Sequence, residues 1–223
     1  MCYANTSKAH YRVLQLLKVI VALGARQVAV EIVAEHLWPD ADGDVALSNL
    51  RTALHRLRKL LRHDDALIVQ DNKLSLNAQI RWLDTWAFDA ASGGNDPSDA
   101  AMPQRETACR LYRGHLLAQD AQAWALPLRE RLRARYQRCG LALAADYGRH
   151  AQWDSAEALL YQCLERDPCA EAIYRQLMLH LKNRGRHTEA LDVYRRCEQT
   201  LHSMLAVPPS PETKALYEDL RAL

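Results

Sequence analysis

Hydrophobic residues recur at intervals of three and four along most of the chain, which is the spacing of one buried helix face. Such residues predict a first helix that begins near Val13 and stops at Gly24. The same spacing resumes over 30–37, and Pro39 closes this second helix because proline cannot continue it. The start of the chain therefore predicts two consecutive helices.

A third helix is predicted over residues 45–62, where leucines form one continuous stripe at positions 47, 50, 54, 57 and 61. Two short strand-like runs, 67–70 and 73–76, then flank the pair Asp71-Asn72, which suits a hairpin turn although the usual glycine is absent. Three helices followed by a hairpin is the order of elements in a winged helix.

Beyond Gln104 the spacing is helical almost to the end, and it contains a repeat. Ala156 is matched by Ala190, and Leu160 by Tyr194, each 34 positions later in the sequence. In a tetratricopeptide repeat (TPR), small residues allow two helices to approach closely, and bulky residues fill the space between them. This half of the chain therefore predicts a TPR-like helical domain.

The composition agrees with a mainly α fold, because 223 residues include only 8 glycines, 8 prolines and one phenylalanine. Flexible residues gather at 92–98, after a short helix that Asp84 could cap. We therefore predict a winged-helix domain over 8–82, a connecting helix and linker over 83–103, and a TPR-like domain over 104–223.

The net charge is only +2, so binding to nucleic acid or membrane would require a local patch. The third predicted helix provides one, since no acidic residue occurs from Val45 to His63. Opposite the leucines, short polar side chains and arginine suit the edges of bases in the major groove, and flanking cations suit phosphates. The candidate DNA-binding residues are Ser48, Asn49, Arg51, Thr52, His55, Arg56, Arg58, Lys59 and Arg62, with Lys73 on the hairpin.

Charge alone favours a simpler interpretation, because many amphipathic helices have a solvated basic face. The two preceding helices and the following hairpin shift the balance towards a recognition helix that binds double-stranded DNA. The alternative is a TPR-like protein-interaction module whose winged helix no longer binds DNA. Charge reversal at Arg56 separates the two hypotheses, because it abolishes duplex binding under the first alone.

Other chemistry finds little support in the sequence. Asp40, Asp42 and Asp44 alternate as in an EF-hand, but Val45 replaces the required glycine and Arg51 the chelating glutamate. No nucleotide-binding loop or hydrolase motif occurs, so we predict no enzyme, no catalytic residues, no metal site and no cofactor. Six cysteines without a CxxC pair indicate a cytoplasmic protein, and no stretch has the length of a membrane helix. The five tryptophans are predicted to anchor the core.

Several runs of the sequence resemble a known family. The runs 16–24, 34–40 and 46–61 are similar to the winged helix of bacterial response-regulator-type activators. The second half resembles the bacterial transcriptional activator domain at Trp124, 129–132, 171–178, 189–197 and 209–213. Together the halves resemble the SARP-like antibiotic-regulatory activators of actinobacteria and the C-terminal region of large MalT-like regulators.

This resemblance implies promoter binding, recruitment of RNA polymerase, and self-association as a homodimer or regulation through the repeats. It favours activation over repression. It also implies that Thr52 and Arg56 read bases and that phosphates are contacted by His55, Arg58 and Lys59.

Family members carry a small antiparallel sheet before the first helix, whereas only about ten residues precede that helix here, too few for several strands. We therefore expect a winged helix without that sheet, with apolar surface exposed on the first helix. A fragment, a truncated reading frame and the tail of a larger regulator are the alternatives for such a chain.

Overall fold

The computed structural model describes residues 3–93 and 101–222, and these residues are mainly helical, as predicted. The predicted flexible linker falls for the most part on 94–100, outside the described residues. The helices are α1 (Tyr3–Ala22), α2 (Val30–Leu37), α3 (Gly43–Leu61), α4 (Asp84–Ser92), α5 (Met102–Leu111), α6 (Leu126–Arg149), α7 (Trp153–Arg166), α8 (Glu171–Asn183), α9 (His187–Leu205) and α10 (Pro211–Arg221), and the strands are β1 (Val28–Ala29), β2 (Leu67–Gln70) and β3 (Lys73–Leu76).

The chain forms two compact units, and each unit is built from two separate segments of the sequence. The first comprises Met1–Leu83 and Leu116–Arg131, and the second comprises Asp84–His115 and Leu132–Leu223. The sequence pattern predicts 116–131 as part of the helical domain over 104–223. The structure groups it with the first unit, where residues 123–125 lie against α1 and Asp120 accepts a hydrogen bond from Lys18.

In the first unit α1, α2 and α3 pack against one another around an aliphatic core. Gly24, at φ +95°, follows α1 as predicted, since glycine adopts this conformation without a side-chain clash. At the end of α2, the Leu37 carbonyl accepts a hydrogen bond of 2.8 Å from Arg12 Nη1. The core includes the fully buried side chains of Leu16, Ile20, Val33, Leu50 and Leu57.

The predicted hairpin forms, and it has a third strand that the sequence did not predict. The order is β1-β3-β2, all antiparallel, with Val28 opposite Leu74 in the added pair. Asp71 and Asn72 form the turn at φ 50° and 55°, the two positive values that match the twist of a two-residue hairpin. The Asn72 carbonyl also accepts from Val30 N at 2.9 Å, so the hairpin turn is bonded to the start of α2.

The segment 116–131 is stabilised internally by Arg129 and is joined to α1 through Asp120. The Arg129 guanidinium donates to the carbonyls of Leu116 at 2.8 Å, Leu117 at 2.6 Å and Asp120 at 2.9 Å. The Asp120 carboxylate in turn accepts from Lys18 Nζ on α1 at 2.8 Å, and this hydrogen bond lowers the pKa of Asp120. Tyr11 and Leu14 nevertheless remain exposed on α1, which agrees with the expected apolar surface there.

The second unit packs its helices through the small and bulky residues that the repeat predicted. Ala156 and Ala190 are fully buried, and Leu160 and Tyr194 are buried beside them. Gly140 on α6 approaches Cys163 on α7 so closely that a Cβ at residue 140 would lie 2.8 Å from the sulfur atom.

Aromatic and acidic side chains complete the core of the second unit. Tyr112 stacks on the fully buried Tyr136 with 4.1 Å between ring centroids. Asp167, only 1% exposed, accepts from Arg133 Nε at 2.8 Å and from Gln137 Nε2 at 2.6 Å. At the far end of the unit, the hydroxyl of Ser210 accepts from Thr213 N and caps α10.

The prediction for tryptophan is wrong at two positions. Trp124 is buried, but Trp82 is 69% exposed and Trp153 is 45% exposed. Helical spacing did not reveal this, because Trp82 lies between elements and Trp153 is the first residue of α7.

Replacing Gly140 by alanine should destabilise the protein by about 1–2 kcal/mol, because overpacking outweighs the gain in helix propensity. In a Cys163→Ala background the same change should become neutral or stabilising, since the sulfur atom is gone. Urea unfolding of the four variants in this double-mutant cycle measures the change of sign. Equal effects of Gly140→Ala in both backgrounds would show that the two residues are not coupled.

Replacing Arg129 by lysine should free the segment 116–120, because an ammonium group cannot donate in the planar fork that reaches three carbonyls. We expect a loss of about 1–3 kcal/mol and faster amide exchange in that segment. Arg131→Lys, on an exposed position of the same helix, is the matched control. Unchanged exchange in Arg129→Lys would contradict this account.

Candidate nucleic-acid interface

The candidate interface is the exposed face of α3, and its position follows from the burial of the opposite face. Leu50, Leu54 and Leu57 are buried against α1 and α2, together with Ala46 and Ala53 on the same side of the helix. The outer two leucines of the predicted stripe, at 47 and 61, are only half-buried. Burial of this stripe turns the polar side of the helix towards solvent.

The structure places most of the predicted residues of α3 together on that solvent face. The side chains of Ser48, Asn49, Arg51, Thr52, His55, Arg56, Lys59 and Arg62 are all exposed. Arg62 is the C-cap of α3, in the left-handed conformation at φ 54°. Among the described residues, no ion pair involves a cation of α3, so the fold does not neutralise these charges.

Thr52 and Arg58 differ from the rest of this set. The Thr52 hydroxyl donates to the carbonyl of Ser48 at 3.2 Å, which leaves its oxygen lone pairs as acceptors. Arg58 is half-buried, and its Nη2 donates to the carbonyl of Leu67 at 2.9 Å. Arg58 therefore connects α3 to the first residue of β2, a structural role for a residue predicted to contact phosphate.

A second arginine supports the C-terminal end of α3. Arg81 Nη2 donates to the carbonyl of Leu61 at 2.7 Å, one of the last carbonyls of the helix, which have no acceptor role inside it. Lys59 and Arg58 also lie in the last turn, where positive charge is favourable next to the negative end of the helix dipole. The sequence pattern missed Arg81, because its partner is 20 positions away in the chain.

Lys73 lies apart from α3 in the sequence, at the start of β3, and its side chain is exposed. It lines a shallow cavity of about 200 Å³ on the hairpin together with Asp71. The carboxylate of Asp71 makes this end of the hairpin less positive than the face of α3. Glu31, which accepts from Asn72 Nδ2 at 3.1 Å, brings another negative charge to the turn.

The arginine-rich part of α6, residues 129–138, has as many cations as α3, but several of them make contacts within the fold. Arg129 donates to backbone carbonyls, Arg133 is paired with Asp167, and Arg135 with Asp89 at 2.7 Å. These side chains hold the fold together. In the described ranges, the cations of α3 lie on an exposed face and none of them is held by an ion pair.

The described residues contain no group of three or more metal-ligating side chains. In the same part of the chain, no helix has both the length and the apolar character needed to cross a membrane.

Comparison with known proteins identifies relatives for most of the chain. Regulatory protein AfsR of Streptomyces coelicolor is 30% identical over 210 residues, which cover 87% of this chain and 20% of AfsR. AfsR of Streptomyces griseus is 28% identical over 204 residues, with the same coverage. The chain thus spans about a fifth of the length of these curated relatives.

The solved structures include a similar fold. Mycobacterium tuberculosis EmbR, determined in complex with a low-affinity phosphopeptide, matches with a TM-score of 0.63 and 21% identity, over 93% of this chain and 59% of EmbR. The bacterial transcriptional activator domain matches residues 83–221, which is more than half of the sequence. This match includes the helices of the second unit from α4 to α10, and the chain therefore belongs to the bacterial transcriptional activator domain family.

Proposed function

We propose that the chain is a DNA-binding transcriptional regulator of the SARP-like type, and that its first unit is a winged helix in which α3 enters the major groove. One observation carries this proposal: α3 buries its leucines and exposes Arg51, Arg56 and Lys59 without an ion pair among the described residues. Family membership and the name of the AfsR relatives, regulatory proteins, support it.

The dimensions and charge of α3 suit this role. The major groove of B-DNA admits one α-helix, and the exposed face of α3 has arginine and small polar groups along its length. Thr52 and Arg56 are proposed to read base edges, with Ser48, Asn49 and Arg51 beside them. His55, Lys59 and Arg62 are proposed to contact phosphates. Lys73, on the hairpin, is assigned to the DNA backbone or minor groove.

Arg58 is a weaker candidate for a phosphate contact than its neighbours, because its guanidinium already donates to the Leu67 carbonyl. We propose that it contributes to DNA affinity mainly by holding α3 against β2. Any direct phosphate contact would have to use the nitrogen atoms that remain.

The second unit is proposed to be TPR-like and to mediate self-association or contact with RNA polymerase. The spacing of buried small residues supports this assignment, with Ala156 and Ala190 at matching places of two helix pairs. The resemblance to an activator domain favours activation over repression. Similarity to the C-terminal region of MalT-like regulators and a cytoplasmic location remain predictions.

Arg56→Glu should abolish or strongly weaken binding to duplex DNA, because it removes a contact and puts a carboxylate next to phosphates. We expect at least a tenfold loss of affinity and a salt slope lower by about one or two units. Fluorescence anisotropy with labelled genomic fragments of the host, across a salt series, measures both quantities. Circular dichroism checks that the variant remains folded.

Arg195→Glu is the matched control, because Arg195 lies on α9 and is 61% exposed, and its ion pair with Asp192 is a surface pair. It changes the net charge equally but should leave DNA binding unchanged. If the folded wild-type chain binds no duplex at low salt, the proposal fails. The alternative, a protein-interaction module with an inactive winged helix, would then be favoured.

Replacing Arg58 or Lys59 by alanine should separate structural from DNA-contacting roles. Both lie in the last turn of α3 and lose the same interaction with the helix dipole. Only Arg58→Ala leaves the Leu67 carbonyl without its charged donor, so it should lower the free energy of unfolding by about 1–2 kcal/mol more. Lys59→Ala should reduce DNA affinity with little change in stability. Urea unfolding and anisotropy on the same samples test this, and equal losses of stability would refute it.

A further inference from the structure

The sheet of the first unit has an open edge at β2. The strand order β1-β3-β2 leaves one side of β2 without a neighbouring strand in the described part of the chain. Two adjacent apolar residues of β2 are exposed, Ile68 at 43% and Val69 at 45%. Proteins usually protect such an edge with a charged residue, a proline or a bulge, because it otherwise pairs with another strand. Within its four residues, β2 has none of these protections.

The hydrogen bonds around the hairpin show which residue of β2 faces outwards. In an antiparallel ladder, successive residues bond alternately to one side and to the other. The Ala66 carbonyl accepts from Asn77 N at 3.0 Å, so Ala66 bonds towards the β3 side and Leu67 faces the open side. The Leu67 carbonyl accordingly accepts from Arg58 Nη2, a donor outside the sheet. By the same alternation, Val69 also faces the open side.

The register of the sheet leads to the same assignment for Val69. Its partner on β3 is Leu74, which pairs on its other side with Val28 of β1. The backbone groups of Leu74 therefore point towards β1, and those of Val69 point away from the ladder. No other described residue donates to the Val69 carbonyl or accepts from its N–H. Val69 thus offers one donor and one acceptor at the open edge.

The charges near the two ends of β2 are opposite in sign. Asp71 follows the strand and is exposed, and Arg58 lies at the other end, where it donates to the Leu67 carbonyl. In the described ranges, neither Asp71 nor Arg58 belongs to an ion pair. An antiparallel copy of the strand reverses this order, which places Asp71 of each copy near Arg58 of the other. The edge is therefore complementary to itself in charge.

We infer that β2 is a self-association edge, which pairs with β2 of a second copy of this chain in an antiparallel arrangement centred on Val69. Each Val69 N–H donates to the Val69 carbonyl of the other copy, so a two-fold axis passes between the two residues. Their side chains then lie opposite each other, a favourable cross-strand pair for β-branched residues. The Leu67 carbonyl is already bonded to Arg58, which leaves Val69 to set the register.

The expected association is weak. Pairing of two four-residue strands buries a small area, and small interfaces are typical of transient complexes. The contact is separate from the self-association proposed for the second unit, and it does not depend on DNA binding.

Hydrogen exchange of the Val69 amide in the full chain, followed by NMR over a range of protein concentrations, reads this contact directly. The amide should exchange at least about twofold more slowly at high concentration than at low concentration, because its N–H becomes bonded. Sedimentation velocity of the same samples should show the mean mass rising over the same range. Association through the second unit alone would leave exchange at Val69 unchanged, and this result would overturn the proposal.

Val69→Lys should abolish the association through β2, because it places two ammonium groups opposite each other across the two-fold axis. Val207→Lys is the matched control, since Val207 lies in the second unit, is 44% exposed and gains the same charge. It should retain the concentration dependence of exchange at Val69. Equal loss of that dependence through Val207→Lys would contradict a contact at β2.

Val69→Pro removes the outward N–H, and an edge strand tolerates proline where no ladder bond is lost. It should weaken the association by at least about tenfold, because both intermolecular bonds need this donor. Asp71→Asn retains a residue suited to the turn and should weaken the association about two- to fivefold through loss of the charge pair. Circular dichroism checks that both variants remain folded. Association unchanged in Val69→Pro would overturn the proposal, and association unchanged in Asp71→Asn would contradict the antiparallel register.

Discussion

Burial of the leucine face of α3 against α1 and α2 is the constraint on which the first unit depends. Leu50 and Leu57 are fully buried, and transfer of each such side chain from water contributes about 1.5–3 kcal/mol. Leucines and polar residues occupy opposite faces of α3, so burial of the leucine face fixes which residues face solvent. The arginines of α3 are exposed because the leucines are buried, and the connections from Arg58 and Arg81 hold the end of the helix in that orientation.

Local periodicity explains why the helices and the hairpin could be predicted from the sequence. Leucines at intervals of three and four predict α3 without knowledge of its packing partners. In the same way, the pair Asp71-Asn72 predicts the turn of the hairpin from two neighbouring residues. The strand β1 could not be predicted, because two residues are too few to show a periodicity. Its pairing of Val28 with Leu74 also joins residues that are far apart in the sequence. The place of 116–131 in the first unit also depends on distant contacts, such as the one from Lys18 to Asp120.

The residues of the candidate site could be predicted from the sequence, but the contacts of their side chains could not. The absence of acidic residues from Val45 to His63 is visible in the sequence, and nearly all the polar residues chosen there are exposed. The periodicity of α3 cannot reveal that Arg58 donates to the Leu67 carbonyl, because that partner lies on β2, outside the helix. Nor can it show that the arginines of α6 are largely used by the fold. Sequence alone gives the same weight to a paired and an unpaired arginine.

The two groups of cations also differ in how they respond to ionic strength. Arg56 and Lys59 are exposed, so their attraction for phosphates is screened over about 10 Å at 0.1 M salt. Arg105, whose side chain is 8% exposed, sits beside the buried Asp146, where mobile ions enter poorly and interactions remain stronger. Net charge is a poor guide to either surface, because +2 is the small difference between 29 basic and 27 acidic side chains. What distinguishes the exposed face of α3 from the buried pair of Arg105 and Asp146 is therefore the arrangement of charge and its access to solvent, which the packing of each unit determines.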